Sequence, residues 1–193
     1  MGHALRAAWF GGSYHSTVAA LPLLKDRVKP GVRVLLVGIN PGIRSATIGH
    51  HFAGHSNRFW KLLFEARLVP LALRAEDDRR LPEWGLGITN LVPRATPGID
   101  TLQPEEFAAG VRVLRRKVRR WAPPIVALLG VSLYRAMFRE KGLVRLGLQA
   151  GTFEGARVFV LPNPSGRNAN FSYAEMRRAF KRLAAAARKD ALV

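Results

Sequence analysis

Residues 32–37 read Val-Arg-Val-Leu-Leu-Val, almost wholly apolar, between Pro30-Gly31 and Asn40-Pro41-Gly42. A short β-branched and Leu run closed by turn residues on both sides is the pattern of a strand buried on both faces of a parallel sheet. The pattern recurs at 86–92, before Pro93, at Ile125–Leu129, closed by Gly130, and at 158–161, before a loop over 162–170. Helical spacing fills the gaps. Residues 57–66 form a helix with Asn57 as N-cap and Phe59, Trp60, Leu63 and Phe64 on its apolar face. Pro104–Trp121 is amphipathic, with Phe107, Val111, Leu114 and Val118 at helical spacing and Pro123-Pro124 beyond its end. Ser132 caps a helix over 133–141, and Ser172 caps a last one over 172–189. Strands alternating with helices predict an α/β fold: a three-layer α/β/α arrangement around a central, mainly parallel four-stranded sheet.

A chain of 193 residues suits one domain. Residues 1–30 read as a loop-like extension, with Gly11-Gly12-Ser13 and a short helix over 18–25. The absence of cysteine excludes disulfides, iron–sulfur clusters and thiol nucleophiles. No apolar run is long enough to span a bilayer, and no secretory signal is read, so a cytoplasmic protein is expected; a monomer is the separate expectation. The formal net charge is +18. Such an excess suits a polyanionic partner, because neutralising phosphates releases counterions. Arginines merely decorating a solvated surface are the plainer alternative. No membrane partner is expected, because no basic stretch carries a broad aromatic face.

Ligands in open α/β sheets bind beyond the carboxyl ends of the strands. Three loops at such ends are rich in polar residues: 38–42, 89–98 and 162–167. Each alone is an ordinary turn. Three together, in so basic a chain, suggest a site.

The motifs in these loops resemble those of the mismatch-specific uracil-DNA and thymine-DNA glycosylases. They are Gly38-Ile39-Asn40-Pro41-Gly42, Gly49-His50-His51-Phe52 with Asn57-Arg58-Phe59-Trp60-Lys61, Gly87 through Gly98, and Leu161 through Asn168. The resemblance runs in order over about residues 32–185 and implies a uracil-DNA glycosylase-like fold. It also implies an enzyme that flips a damaged or mismatched base out of double-stranded DNA and hydrolyses its glycosidic bond, without metal or other cofactor. Under it, Asn40 positions the water and Thr96 helps hold it. Gly38, Ile39, Ser45, His51, Phe52 and Asn90 form the base pocket: Phe52 stacks on the base, Asn90 pairs with its Watson–Crick edge, and His51 donates to it. Asn163, Pro164, Ser165, Gly166, Arg167 and Asn168 enter the DNA, with Arg167 filling the vacated space. Ser45, Pro93 and Ala95 vary from the family's commonest residues.

Other readings remain beside these. His50, His51 and His55 form no convincing metal set, since adjacent histidines do not easily converge on one ion. Asp100, Glu105 and Glu106 are read as favouring the N-terminus of the long helix. The arginines at 112–120 are a solvated face, and Trp60 and Phe64 are core. Arg94 meets either a phosphate or an internal carboxylate, and Arg167 either a base-pair gap or a phosphate. A non-catalytic nucleic-acid binder on the same fold is the second functional reading. A Rossmann nucleotide enzyme is the third, disfavoured because G-x-G-x-x-G is missing after the first strand. Uracil opposite guanine is the expected substrate, with thymine, hydroxymethyluracil and etheno-cytosine open.

Overall fold

The computed structural model describes residues 21–189. Five strands form one sheet: β1 (Val34–Gly38), β2 (Leu86–Asn90), β3 (Ile125–Leu129), β4 (Gly147–Phe153) and β5 (Ala156–Leu161), in the order β2-β1-β3-β5-β4. The first four in that spatial order run parallel, and β4 pairs antiparallel with β5. Five helices, α1 (Ile43–Ile48), α2 (Phe59–Glu65), α3 (Pro104–Trp121), α4 (Val131–Phe138) and α5 (Tyr173–Lys189), complete it with a 3-10 segment, Ala75–Trp84.

Alternation along each strand divides the core in two. Val34 and Leu36 of β1 pack with α2 and α5 on one face, through Phe59, Leu62, Met176 and Phe180. Leu35 and Val37 pack on the other with α3 and α4, through Leu114, Val118 and Leu133. The α/β/α sandwich is therefore as expected. The sheet, however, has five strands rather than four. Strand β4, Gly-Leu-Gln-Ala-Gly-Thr-Phe, carries no local strand signature: it has two glycines and is largely exposed, with a register irregularity between Leu148 and Thr152. An antiparallel edge strand needs no apolar run.

Boundaries moved where tertiary bonds replaced local ones. Strand β2 stops at Asn90, and Leu91 and Val92 then donate to the carbonyls of Gly38 and Ile39 beyond β1. Helix α4 starts at Val131 after Gly130, so Ser132 lies within its first turn and is not its cap, and the helix ends at Phe138 where Arg139 turns left-handed. Helix α2 runs only from Phe59 to Glu65 with Arg58, not Asn57, at the N-cap position, although the Asn57 side chain does accept from the Phe59 amide. Ser172 caps α5 reciprocally with Glu175. Trp60 is core, but Phe64 is 42% exposed, on the outer side of α2. Of the helix expected over 18–25, residues 18–20 lie outside the described residues, and 21–25 are not helical. Instead Arg27 pairs antiparallel with Ile88, each amide donating to the other's carbonyl, so residues 25–28 lie as a strap along the edge of β2. No helix among the described residues is long and apolar enough to cross a membrane.

Candidate active site

All four parallel strands end at one cleft of about 830 Å³, where the sheet order reverses between β1 and β3. Its floor and walls come from the segments following β1, β2, β3 and β5. Asn40 follows β1 directly, and its Nδ2 donates to Thr96 Oγ1 at 2.7 Å, with the carbonyls of Arg94 at 3.1 Å and Pro41 at 3.2 Å also within reach. Carbonyls only accept, so the amide nitrogen must face them, and Oδ1 is turned the other way. Thr96, 3% exposed, donates in turn to the Gly98 carbonyl at 2.6 Å. The two residues read as a catalytic pair are thus brought together across 56 positions of sequence.

The second cluster lies beside it. Asn90 Nδ2 meets His51 Nδ1 at 3.4 Å, and His51 Nε2 lies 3.1 Å from the Lys25 carbonyl. His51 is 1% exposed. Burial pushes its pKa below the ordinary value, against the Lys25 hydrogen bond and the Asp78 charge. A neutral ring with a carbonyl at Nε2 carries its hydrogen there, which leaves Nδ1 to accept from Asn90. Both ring nitrogens are therefore engaged within the protein, contrary to the expectation that His51 donates to a base. Phe52, at φ +52°, stacks on Phe59 with centroids 4.2 Å apart. Glycine at position 38 leaves room for two pocket side chains: a Cβ there would lie 2.6 Å from Asn90 Oδ1 and 3.3 Å from Phe52 Cζ, so one of them would have to shift. Ser45, buried in α1, accepts from the Ala53 amide at 3.0 Å and so tethers the segment bearing Phe52.

The loop after β5 closes the cleft. Pro164 accepts from the Arg58 amide, and Gly166 lies so close to Ser56 that a Cβ would meet it at 2.4 Å. Asn163 Oδ1 accepts from the Ser165 amide, and Asn168 Nδ2 donates back to the Asn163 carbonyl. This bracing holds Arg167 at the rim, where its Nη2 donates to the Pro97 carbonyl at 2.5 Å. One guanidinium therefore spans from the closing loop to the loop carrying Thr96.

The family model of the uracil DNA glycosylase superfamily matches residues 25–186. The chain belongs to that superfamily. The solution NMR structure of a candidate uracil DNA glycosylase from Methanosarcina acetivorans shares the fold, with a TM-score of 0.56 at 17% identity, over 84% of this chain and 98% of that one.

Several features of this superfamily member carry no mark in the sequence. Asp78, fully buried in the 3-10 segment, accepts from Arg27, from the His51 amide and from His50 Nδ1. In sequence it sits in Asp77-Asp78-Arg79-Arg80, indistinguishable from a solvated charge run. Arg94 resolves to an internal partner, a bidentate pair with Glu106 at 2.7 Å, which holds the Glu106 carboxyl down at about 2. Glu106 also accepts from the Gln103 amide as a capping box for α3. Asp100 is not in the first turn of α3; it belongs to a separate 3-10 turn, Ile99–Thr101, and lines the cleft with Ser132 and Arg135. In the basic stretch of α3, Arg115 and Arg119 bind Glu154, and Lys117 binds Asp26 and Thr89. Arg112, Arg116 and Arg120 are exposed.

Proposed function

We propose that this superfamily member is a monofunctional DNA glycosylase that extrudes a uracil-type base from duplex DNA and hydrolyses its bond to deoxyribose. The observation that carries the reading is the fixed amide of Asn40. With Nδ2 committed to Thr96 and two carbonyls, Oδ1 is left as a preoriented acceptor on a residue that lines the cleft. It orients a water without taking its proton. As the water oxygen bonds to C1′ and the C1′–N1 bond breaks, charge passes to the departing pyrimidine, and the water's proton goes to solvent. An oxocarbenium-like transition state needs an aligned nucleophile and a stabilised leaving group more than a strong base. Phe52, braced by Phe59, offers its other face to the extruded base. Asn90 meets the base's polar edge, and the closing loop with Arg167 occupies the opened stack. Among possible bases, uracil opposite guanine is the substrate we favour, since a mismatched pair costs least to open.

Excision from labelled duplexes carrying G·U, A·U or G·T, read as alkali-labile abasic sites, tests the activity. Asn40→Ala should remain folded and bind DNA, yet excise at least about a hundredfold more slowly in single turnover, the scale of losing one positioned group. A folded variant working near the wild-type rate would remove Asn40 from the chemistry.

A further inference from the structure

The segment before β1 reaches into the site. Its Lys25 carbonyl is the partner of His51 Nε2, at 3.1 Å. Asp26 accepts from Thr89 Oγ1 at 2.5 Å and from Lys117 Nζ at 2.7 Å, which fastens the strap to β2 and α3 one residue before Asn90. Arg27 donates to buried Asp78 at 3.1 Å and to the Gly49 carbonyl at 3.0 Å. Asp78 also accepts from the His51 amide. Three of these anchors lead to His51 or to the end of β2: the Lys25 carbonyl, Asp26 through Thr89, and Arg27 through Asp78.

We propose that the strap over residues 25–28 sets the hydrogen-bonding polarity of the base pocket. The Lys25 carbonyl holds the hydrogen of His51 on Nε2. Nδ1 then accepts and captures the amide nitrogen of Asn90. Asn90 Oδ1 is left beside Gly38 as an acceptor without a partner inside the pair, and both residues line the cleft. An unconstrained Asn amide reads two bases equally well, because turning it over exchanges donor and acceptor. With Oδ1 forward it accepts from a ring N–H and opposes a ring nitrogen lone pair. The pocket therefore takes pyrimidines carrying N3–H and a 4-keto oxygen and rejects cytosine, whose N3 accepts and whose exocyclic amine donates. His51 is a positioning residue here and touches no base. The proposal rests on the glycosylase reading for the identity of the ligand.

The test measures binding of the full chain to duplexes carrying a 2′-fluorinated uridine or cytidine, whose glycosidic bonds resist hydrolysis. Each is placed opposite an abasic analogue, so that base pairing does not contribute. The wild-type protein should prefer the uracil duplex. His51→Ala should reduce that preference about tenfold, the scale of one lost hydrogen bond between neutral groups. Asp26→Ala, which removes the strap's tie to β2 and α3 and leaves the Arg27 anchors in place, should reduce it about threefold. If His51→Ala does not fold, Asp26→Ala decides alone, with Asp26→Glu expected to restore the preference. Unchanged preference in the folded variants, or equal binding of both duplexes by wild type, overturns the proposal. The glycosylase reading fails separately, by absence of excision from any uracil duplex.

Discussion

His51 is almost wholly enclosed, and burial pushes its pKa below the ordinary 6.5. The unfolded chain therefore binds a proton on this residue that the folded chain resists. Stability contributed by the neutral ring is complete above 6.5 and is lost as pH falls from there towards the lower folded value. Denaturant melts from about pH 7.5 down to about pH 5 should show wild type losing more stability than His51→Asn, because only the former must charge a buried ring. Other groups titrate alike in both proteins, so the difference isolates His51, and identical slopes would refute its buried neutral state. The same residue shows how an expectation fails at this scale. A histidine beside a pocket motif looks like a donor to ligand, but the groups that use up its nitrogens are a carbonyl 26 positions earlier and an amide 39 positions later.

Helix α3 approaches β2 through Gly110, where a Cβ would sit 2.5 Å from the Leu91 carbonyl. Alanine favours a helix over glycine by about 1 kcal/mol. Overlap with backbone that also pairs with Gly38 cannot be relieved by a rotamer and costs about 1–3 kcal/mol. Gly110→Ala should therefore lower stability by up to about 2 kcal/mol, read as a shifted urea midpoint. A more stable variant would mean that α3 stands off the sheet. The closing loop makes a second prediction, which separates flipping from chemistry. If Arg167 fills the gap left by the base, Arg167→Ala should harm excision from A·U more than from G·U, and from single-stranded uracil least, because a well-paired base costs most to open. A uniform loss that shrinks as salt rises would make Arg167 a phosphate contact instead.

Across the whole molecule, the charge of +18 is only partly spent inside the protein. Arg27, Arg94, Arg115 and Arg119 have carboxylate partners. Exposed Arg135 and Arg167 border the cleft, and three arginines of α3 face outward. Affinity for undamaged duplex should fall with a log–log salt slope of about −4 to −5, equivalent to about five neutralised phosphates. Titrations at several salt concentrations check this, and a flat response would reduce the basic surface to decoration.

The alternation of apolar runs with amphipathic helices determined the layered sheet, since burial on both faces leaves a continuous apolar signature in a strand. Turn chemistry located Asn40, Asn90, Thr96 and Asn163 at strand ends, because each lies within a few residues of a closed run. Tertiary structure alone decided the rest. Strand β4 is exposed and pairs at an edge, so no local pattern marks it. Phe64 lies on the outer side of a helix whose apolar face looked wider than the space it covers. Asp78 becomes a buried hub only when the 3-10 segment brings it against His50, His51 and Arg27. Period and composition report whether a residue is buried; the partner of a buried polar atom is set by packing between segments far apart in the chain.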